Sequence, residues 1–344
     1  MKIFYGVQGT GNGHITRARV MAKALRAANI DVQFQFTGRP KEQYFDMEIF
    51  GDYQTRNGLT FAVEKGHINY YQTVHDAHLG RVLQEVKELD LTPYDLVISD
   101  FEPITSWAAK RQNKSVLGLG HQYAFRYRIP RQGHDPIAEQ VLKHYAPANK
   151  SIGLHWHHFN QPIFPPIIET RSDTPPTIKN KIVVYLPFED QTEVEQLLAP
   201  FTDFNFHLYA PTPLQSKYTH IQGYGLSRDG FQNDITDCGG IISNAGFELP
   251  SECLQLGKKI LVKPIQGQME QQANAKALEK LGYGQRMKQL DKNIVEHWLY
   301  NTKAVCVVFP NTAEIIAQWI KDGLPNIDST FINNIWQQVQ IKPC

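Results

Sequence analysis

Short apolar runs alternate with longer amphipathic stretches along the first 120 residues. The runs at residues 2–7, 30–36, 94–99 and 115–119 predict buried strands, because each is short, apolar and bounded by turn residues. Residues 15–28 place small apolar side chains on one face and basic ones mostly elsewhere, which predicts a helix between the first two strands. Strands that alternate with helices predict a parallel sheet with helices on both faces.

The same alternation starts again at residue 181, after a segment rich in proline. The prolines at positions 162, 165, 166, 175 and 176 exclude a continuous helix or a central strand, so residues 161–180 are predicted to be a linker. A chain of 344 residues with 42% hydrophobic residues can bury two cores. We therefore predict two doubly wound α/β domains, residues 1–160 and residues 181–344.

A turn of small residues separates a predicted strand from a predicted helix in the second domain. The turn consists of four residues, Ser243, Asn244, Ala245 and Gly246. The free N–H groups and the dipole of the following helix, predicted at residues 247–256, make an anion site that a diphosphate would fit. Glu252 in this helix can accept hydrogen bonds from a ribose diol. The same spacing also occurs in an ordinary βαβ unit with incidental polar residues.

A glycine-rich loop, QGTGNGH, connects the first strand to the first helix. It departs from a dinucleotide fingerprint, because His14 stands at the third glycine position and no acid follows the second strand. Arg39 follows that strand instead and could meet a 2′-phosphate. The loop thus leaves an NADP-dependent enzyme open as one alternative.

His14 has the chemistry of a general base. An imidazole can accept a proton near neutral pH, as a general base must. Asp100 and Glu102 follow the strand at residues 94–99, at the end where open α/β sheets bind ligands. Asp100 is the first choice and Glu102 the second for a carboxylate that orients His14. The alternatives are a helix cap or phosphate ligand for His14 and a helix N-cap for Asp100.

Basic and aromatic residues alternate after the strand at residues 115–119. The candidates for contact with an acceptor, the molecule that would receive a transferred group, are His121, Arg126, Arg128 and Glu102. Aromatic faces stack on sugar rings and arginine binds phosphate in a bidentate manner, so this segment suits a sugar-rich acceptor, a lipid phosphate or a membrane surface. The alternative is a solvated charged loop.

Composition narrows the class of protein. A net charge of +1 gives no reason to expect a nucleic-acid partner. The four cysteines show neither metal-binding nor disulfide spacing, so we expect a cytoplasmic protein and no metal site. The first residues lack a secretory apolar region, and no apolar run is long enough to span a bilayer.

The sequence resembles GT-B glycosyltransferases of the MurG-like, family-28 type in three places. The glycine loop ending in His14 is one, and the spacing of Gly246 to Glu252 is another. The third is a Glu270-Gln271 pair followed by Asn274-Ala275. The resemblance implies two Rossmann-like domains that face each other across a cleft, with the last helix crossing back to the first domain.

The resemblance also implies roles for individual residues. The four-residue turn at 243–246, with Gly11 and Gly13, would hold the donor diphosphate, and Glu252 would hold the ribose. The transferred sugar would contact Glu270, Gln271 and Asn274, and the base would lie at Leu226 and Ser227.

The leading hypothesis is an inverting glycosyltransferase that uses neither metal nor cofactor and takes a nucleotide-diphosphate sugar, UDP-linked by resemblance, as substrate. The sequence lacks an Asp-x-Asp motif, which disfavours a metal-clamped donor. We expect a glycan or lipid-linked acceptor of a cell-envelope polysaccharide, and peripheral contact with the inner face of the membrane. Two further alternatives are a sugar-nucleotide epimerase of the same two-domain fold and a non-catalytic nucleotide-sugar-binding protein.

Overall fold

Two parallel sheets, each covered by helices, make up most of the computed structural model. The residues described below are 1–59, 63–64, 67–68, 79–131, 140, 142–169 and 175–343.

The first sheet has seven strands, all paired in parallel, in the order β3-β2-β1-β6-β7-β8-β9. Its central strand β1 pairs Ile3 with Val32 on one side and with Leu96 on the other. Its strands are β1 (Lys2–Gln8), β2 (Asp31–Thr37), β3 (Gln54–Arg56), β6 (Leu96–Asp100), β7 (Val116–Gly120), β8 (Lys150–Leu154) and β9 (Ile163–Phe164). Helices α1 (Asn12–Ala27), α2 (Leu79–Glu88) and α3 (Pro103–Arg111) accompany it, and β4 (Val63–Glu64) pairs antiparallel with β5 (His67–Ile68).

The second sheet has six parallel strands in the order β12-β11-β10-β13-β14-β15. Its strands are β10 (Ile178–Tyr185), β11 (Asn205–Tyr209), β12 (Ile221–Tyr224), β13 (Cys238–Asn244), β14 (Lys259–Lys263) and β15 (Gln285–Arg286). Its helices are α4 (Gln191–Leu198), α5 (Arg228–Asp237), α6 (Glu248–Gln255), α7 (Met269–Leu281) and α8 (Lys292–Asn301). The two doubly wound sheets confirm the predicted GT-B architecture.

The last elements of the chain contact the first domain. They are β16 (Val305–Val308), α9 (Thr312–Lys321), α10 (Ser329–Trp336) and β17 (Gln340–Pro343), with β16 and β17 paired antiparallel. Helix α9 packs on α1, and the Trp336 indole N–H donates to the Ile163 carbonyl of β9 over 2.7 Å. Within the described part of the chain, no helix combines the length and apolar character needed to span a bilayer.

Several element boundaries differ from the sequence-based expectation. Helix α1 begins at Asn12, so Gly13 and His14 lie in its first turn and not in a preceding loop. Strand β9 lies inside the predicted linker, at the edge of the first sheet, where few ladder bonds are required of a proline-rich segment. Strand β10 starts at Ile178, three residues before the predicted start, because its exposed beginning, residues 178–180, holds two polar residues after a single apolar one.

Candidate active site

A cavity of about 310 Å³ lies between the two domains. From the first domain it is lined by the start of α1, including His14 and Arg17. From the second it is lined by the start of α6, with Gly246 and Glu248, and by Glu270 of α7. The cavity thus brings together residues that are more than 200 positions apart, as in the 231-residue separation of Arg17 and Glu248.

His14, which lines this cavity, forms a hydrogen-bonded pair with Asp100. The His14 Nδ1 lies 2.7 Å from Asp100 Oδ1, and the Asp100 side chain is completely buried. Burial alone would raise the pKa of the Asp100 carboxyl, but the nearby Arg17 and His14 hold it below its usual range. The ionised carboxylate therefore accepts the Nδ1 proton and leaves Nε2 as the nitrogen that can take up a proton.

Arg17 joins the carboxylates of the two domains. Its Nε donates to Asp100 Oδ2 over 2.8 Å, its Nη2 donates to Asp100 Oδ1, and its Nη1 donates to Glu248 Oε1. The Arg17 side chain is only 2% exposed. Burial lowers the pKa of Arg17, but Asp100 and the Glu248 carboxyl group raise it by more, so the guanidinium stays charged. The sequence analysis missed Arg17, although its position three residues after His14 places both on one helix face.

Glu248 is the second functional candidate that the sequence analysis missed. It is the first residue of α6, its side chain is buried, and the aliphatic part of that side chain packs against Gly13 of α1. A Cβ atom at Gly13 would lie 2.9 Å from the Glu248 Cγ, so glycine makes room there for the other domain. Burial raises the pKa of Glu248 to about 8, even though Arg17 lowers it.

The turn before α6 is held by side chains of α7. The Ala245 N–H donates to Gln271 Oε1 over 3.2 Å, and Asn274 Nδ2 donates to the Ala245 carbonyl over 3.1 Å. Asn274 is completely buried and its Oδ1 lies 2.7 Å from His121 Nε2. Both polar groups of Asn274 are therefore engaged inside the protein. This corrects the prediction of a sugar contact: Asn274 positions the turn.

Of the four residues predicted to form the turn, Ser243 and Asn244 end strand β13, and Ala245 and Gly246 follow it. Asn244 and Gly246 line the cavity, whereas Ser243 is 1% exposed and its hydroxyl donates to the Asn244 carbonyl. Gly11 is the N-cap of α1 and has open space around its Cα. Among the predicted diphosphate ligands, the cavity thus contacts Asn244, Gly246 and Gly13 directly.

The far end of the cavity is aromatic. Tyr185, Tyr209 and Phe231 line it, with Tyr209 and Phe231 packed edge to face at 5.0 Å. Leu226 and Ser227, the predicted base contacts, also line the cavity, and the Ser227 hydroxyl caps α5. Glu252, the predicted ribose ligand, lines it as well and accepts a hydrogen bond from Gln232 over 3.1 Å.

Glu102 has a structural role and not the predicted acceptor-side or orienting role. Its carboxylate accepts the N–H groups of Ile104 and Thr105 over 2.8 Å and 2.7 Å, so it is the N-cap of α3. The cap predicted as an alternative for Asp100 is therefore wrong. Phe101 between them has a left-handed φ of 51°, which turns the chain so that the two carboxylates face different groups.

The other residues predicted to contact the acceptor lie in two different places. His121 lines the cavity, is completely buried and stacks on Phe247 at 4.0 Å. Burial lowers the pKa of His121, so its ring is held neutral between the domains. Arg126 and Arg128 are exposed outside the lining of the cavity, and Arg126 lies over the Tyr123 ring.

Two buried acceptor atoms lack a partner beside the cavity. The Oδ1 atom of Asn244 and the Oε1 atom of Gln122 have no hydrogen-bond partner among the described residues, and each side chain is 8% exposed. Gln122 was missed from the sequence, although it directly follows His121; its Nε2 donates to Glu270 over 3.2 Å. Both oxygens can accept hydrogen bonds from water or from hydroxyl groups of a ligand.

Two other kinds of site find little support in the geometry. The described residues contain no group of three or more His, Cys, Asp or Glu side chains arranged for a metal ion. Arg39, the candidate ligand for a 2′-phosphate, instead donates to the Gly9 carbonyl and to Asn12 Oδ1. It therefore braces the glycine loop.

Comparison with known sequences decides the family. The family model described as Glycosyl transferase family 1 matches residues 1–303. The chain belongs to glycosyl transferase family 1. This confirms the predicted enzyme class, a glycosyltransferase. The narrower MurG-like subtype stays a prediction. No curated protein sequence matches this glycosyltransferase.

Solved glycosyltransferases share the fold at low sequence identity. SnogD from Streptomyces nogalater is 15% identical with a TM-score of 0.55, and the match covers 98% of this chain and 99% of SnogD. VinC in complex with DTDP is 12% identical with a TM-score of 0.55 and coverage of 98% and 100%. UGT89C1 from Arabidopsis thaliana complexed with quercetin is 11% identical with a TM-score of 0.62 and coverage of 98% for both chains.

Proposed function

We propose that this glycosyltransferase moves a sugar from a nucleoside-diphosphate donor to an acceptor hydroxyl with inversion, using His14 as the base. The observation that carries the proposal is the His14–Asp100 pair, 2.7 Å apart, in the cavity that also contacts the start of α6. The base therefore lies in one domain, and the helix terminus suited to a diphosphate lies in the other.

The donor would lie along the second domain. The aromatic end with Tyr185 and Tyr209 offers a surface for the base, and Glu252 offers acceptors for the ribose. Gly246 at the start of α6 leaves the helix N–H groups approachable for the diphosphate. Glu270 and Gln122 lie at the inner end, next to the first domain, where the sugar would follow. UDP is our first choice of nucleotide, and the bound DTDP of VinC makes dTDP the second.

The reaction assigned to His14 needs no metal. The Nε2 atom takes the acceptor proton while the hydroxyl oxygen attacks the anomeric carbon, and Asp100 stabilises the imidazolium that forms. The dipole of α6 and its N–H groups stabilise the departing diphosphate. Activity that survives a chelator supports this assignment, and activity abolished by the chelator and restored by a divalent metal refutes it.

The acceptor is proposed to be a glycan or a lipid-linked sugar of the cell envelope. The exposed Arg126 and Arg128 support contact with an anionic acceptor or a membrane surface, because both lie outside the cavity, where a large partner can reach them. We place the enzyme in the cytoplasm, peripheral to the inner face of the membrane. Binding of the purified enzyme to vesicles that contain anionic lipid, compared with neutral vesicles, tests this placement.

A single substitution tests the catalytic assignment. We expect His14→Ala to retain binding of UDP or dTDP, measured by thermal shift, and to lower transfer by roughly 10²–10⁴-fold, since a positioned base contributes about that much. His297→Ala, at an exposed position of α8 away from the cavity, is the matched control. Donor hydrolysis assays with the best-binding nucleotide-sugar supply the activity readout. Normal turnover by His14→Ala would remove His14 from the mechanism.

A further inference from the structure

The helix terminus proposed to hold a diphosphate carries a carboxyl group of its own. Glu248 is the first residue of α6 and lines the cavity beside Gly246. Its side chain is only 10% exposed. Two negative groups placed this close in a buried site repel each other strongly. A diphosphate would therefore bind weakly next to an ionised Glu248. Protonation of the Glu248 carboxylate would remove this repulsion.

The surroundings of Glu248 favour a protonated carboxyl. Its one cationic contact in the described structure is Arg17, which is already bound through two nitrogens to Asp100. Burial raises the pKa of Glu248 to about 8, and the acidic neighbours add to the effect against the influence of Arg17. The charged and titratable groups that face it are Arg17 of α1, Asp100 of β6, Glu252 of α6, Glu270 of α7 and the buried phenol of Tyr5 in β1.

A second observation concerns two polar side chains that line the same cavity as Glu248. Asn244 precedes the α6 turn and Gln122 faces it from the first domain, and both line the same cavity. Each has a buried side-chain oxygen for which the described residues offer no hydrogen bond. These oxygens accept only, so they match hydroxyl donors of a sugar and not a phosphate. The sugar would then lie beside Glu248, with its phosphate-bearing carbon near the start of α6.

We propose that Glu248 is the proton donor to the diphosphate oxygen that leaves the sugar. The assignment rests on the proposed function and adds an acid to the base already assigned. The acceptor O–H proton goes to His14, the acceptor oxygen bonds to the anomeric carbon, and the carbon–oxygen bond to the diphosphate breaks. The electron pair of that bond stays on the diphosphate oxygen, which takes the proton of Glu248.

The structure contains the group that would stabilise the product form of Glu248. Once the proton has left, the carboxylate is paired with the Nη1 of Arg17. Gly13 allows this approach, because a larger side chain there would meet the Glu248 Cγ. Loss of the His14 proton to solvent and uptake of a proton by Glu248 restore the enzyme, so the net reaction moves one proton from the acceptor to the nucleotide.

Binding of UDP alone tests the protonation of Glu248 without any turnover. Titration calorimetry at pH 8.5, in two buffers of different ionisation enthalpy, measures the protons taken up with the ligand. We expect wild type to take up about 0.7 proton per UDP, since most of the free carboxyl is ionised at that pH and binding restores the proton. Glu248→Gln, which imitates the protonated form, is expected to bind UDP with near-zero uptake.

The outcomes separate this inference from the proposed function. Equal proton uptake by wild type and Glu248→Gln would overturn the role of Glu248 while leaving the donor assignment in place. Failure of wild type to bind either UDP or dTDP would overturn the proposed donor and, with it, the acid. Glu296→Gln, at an exposed site of α8, is the control and is expected to behave as wild type.

A kinetic test applies once a donor has been found. We expect Glu248→Gln to lower kcat by roughly 10²-fold or more with little change in KM, as for loss of a general acid. The fall of wild-type activity above about pH 8 should be absent in this variant, because no acid remains to be titrated. A purely structural role of Glu248 would instead leave the shape of the pH profile unchanged.

Discussion

The buried carboxyl of Glu248 predicts a pH dependence of the stability of the enzyme, which can be measured without a substrate. Its pKa is raised from 4.5 to about 8 in the folded enzyme. A carboxyl whose folded pKa lies above its unfolded value contributes most favourably at low pH. That contribution is lost as the pH rises from the unfolded pKa through the folded pKa, because ionisation is easier in the unfolded chain. The contribution of Glu248 to the free energy of unfolding of wild type should therefore fall progressively between about pH 4.5 and pH 8.

The size of this fall follows from the shift in pKa. The difference between a pKa of 4.5 in the unfolded chain and a pKa of about 8 in the folded enzyme corresponds to a loss of roughly 5 kcal/mol of stability when the carboxyl is fully ionised. At pH 6 this loss of stability amounts to only about 2 kcal/mol, whereas at pH 9 the loss is nearly complete. Glu248→Gln cannot ionise. The free energy of unfolding of wild type, relative to this variant, should thus fall by roughly 3 kcal/mol between pH 6 and pH 9.

Thermal and urea unfolding of both proteins at pH 6 and pH 9 measures this difference. Glu296→Gln is again the exposed control, and its pH dependence should follow wild type. Because the chain has two domains, the comparison uses the first resolved transition of each protein. Parallel pH dependence of wild type and Glu248→Gln would show that Arg17 keeps Glu248 ionised in the folded state, and it would refute the reasoning above.

Three further predictions concern other parts of the site. Asp100→Asn should bind UDP normally but lower kcat/KM by roughly 10²–10⁴-fold, because the neutral amide no longer stabilises the imidazolium of His14. The depressed pKa of Asp100 stabilises the fold at neutral pH, so wild type should lose that stability below about pH 4 while Asp100→Asn does not, as acid titration of Tm will show. Trp156→Phe should lower stability by about 1–2 kcal/mol in urea unfolding, since it removes the 2.8 Å bond from the buried indole to Ser251 of the other domain.

Much of the fold could be predicted because its signals are local. The strand predicted at residues 2–7 is the observed β1, Lys2–Gln8, and the helix predicted at residues 247–256 is the observed α6, Glu248–Gln255. An apolar run of that length, bounded by turn residues, has few other ways to satisfy its backbone and bury its side chains. The boundaries at α1 and β10 shifted by a few residues, because glycine or polar residues predominate at those ends.

The charge network could not be predicted from local signals. Arg17 is 83 residues from Asp100 and 231 from Glu248, so only the packing of two domains brings the three together. The roles of Asp100 and Glu102 show the same limit. Both follow one strand, and the left-handed turn at Phe101 decides which carboxylate reaches His14 and which caps α3.

The sequence by itself therefore determined the alternation of strands and helices and the two domains, since these follow from chain-neighbour geometry. It also made His14 a candidate base through its side-chain chemistry. The tertiary structure alone decided which charges meet. Burial between the domains removes water from Arg17, Asp100 and Glu248, and the energy of a buried charge depends on the partners that packing supplies. Glu248 has no local sequence signal that sets it apart from other helix residues. Only its contacts with Arg17 and Gly13 make it a candidate acid.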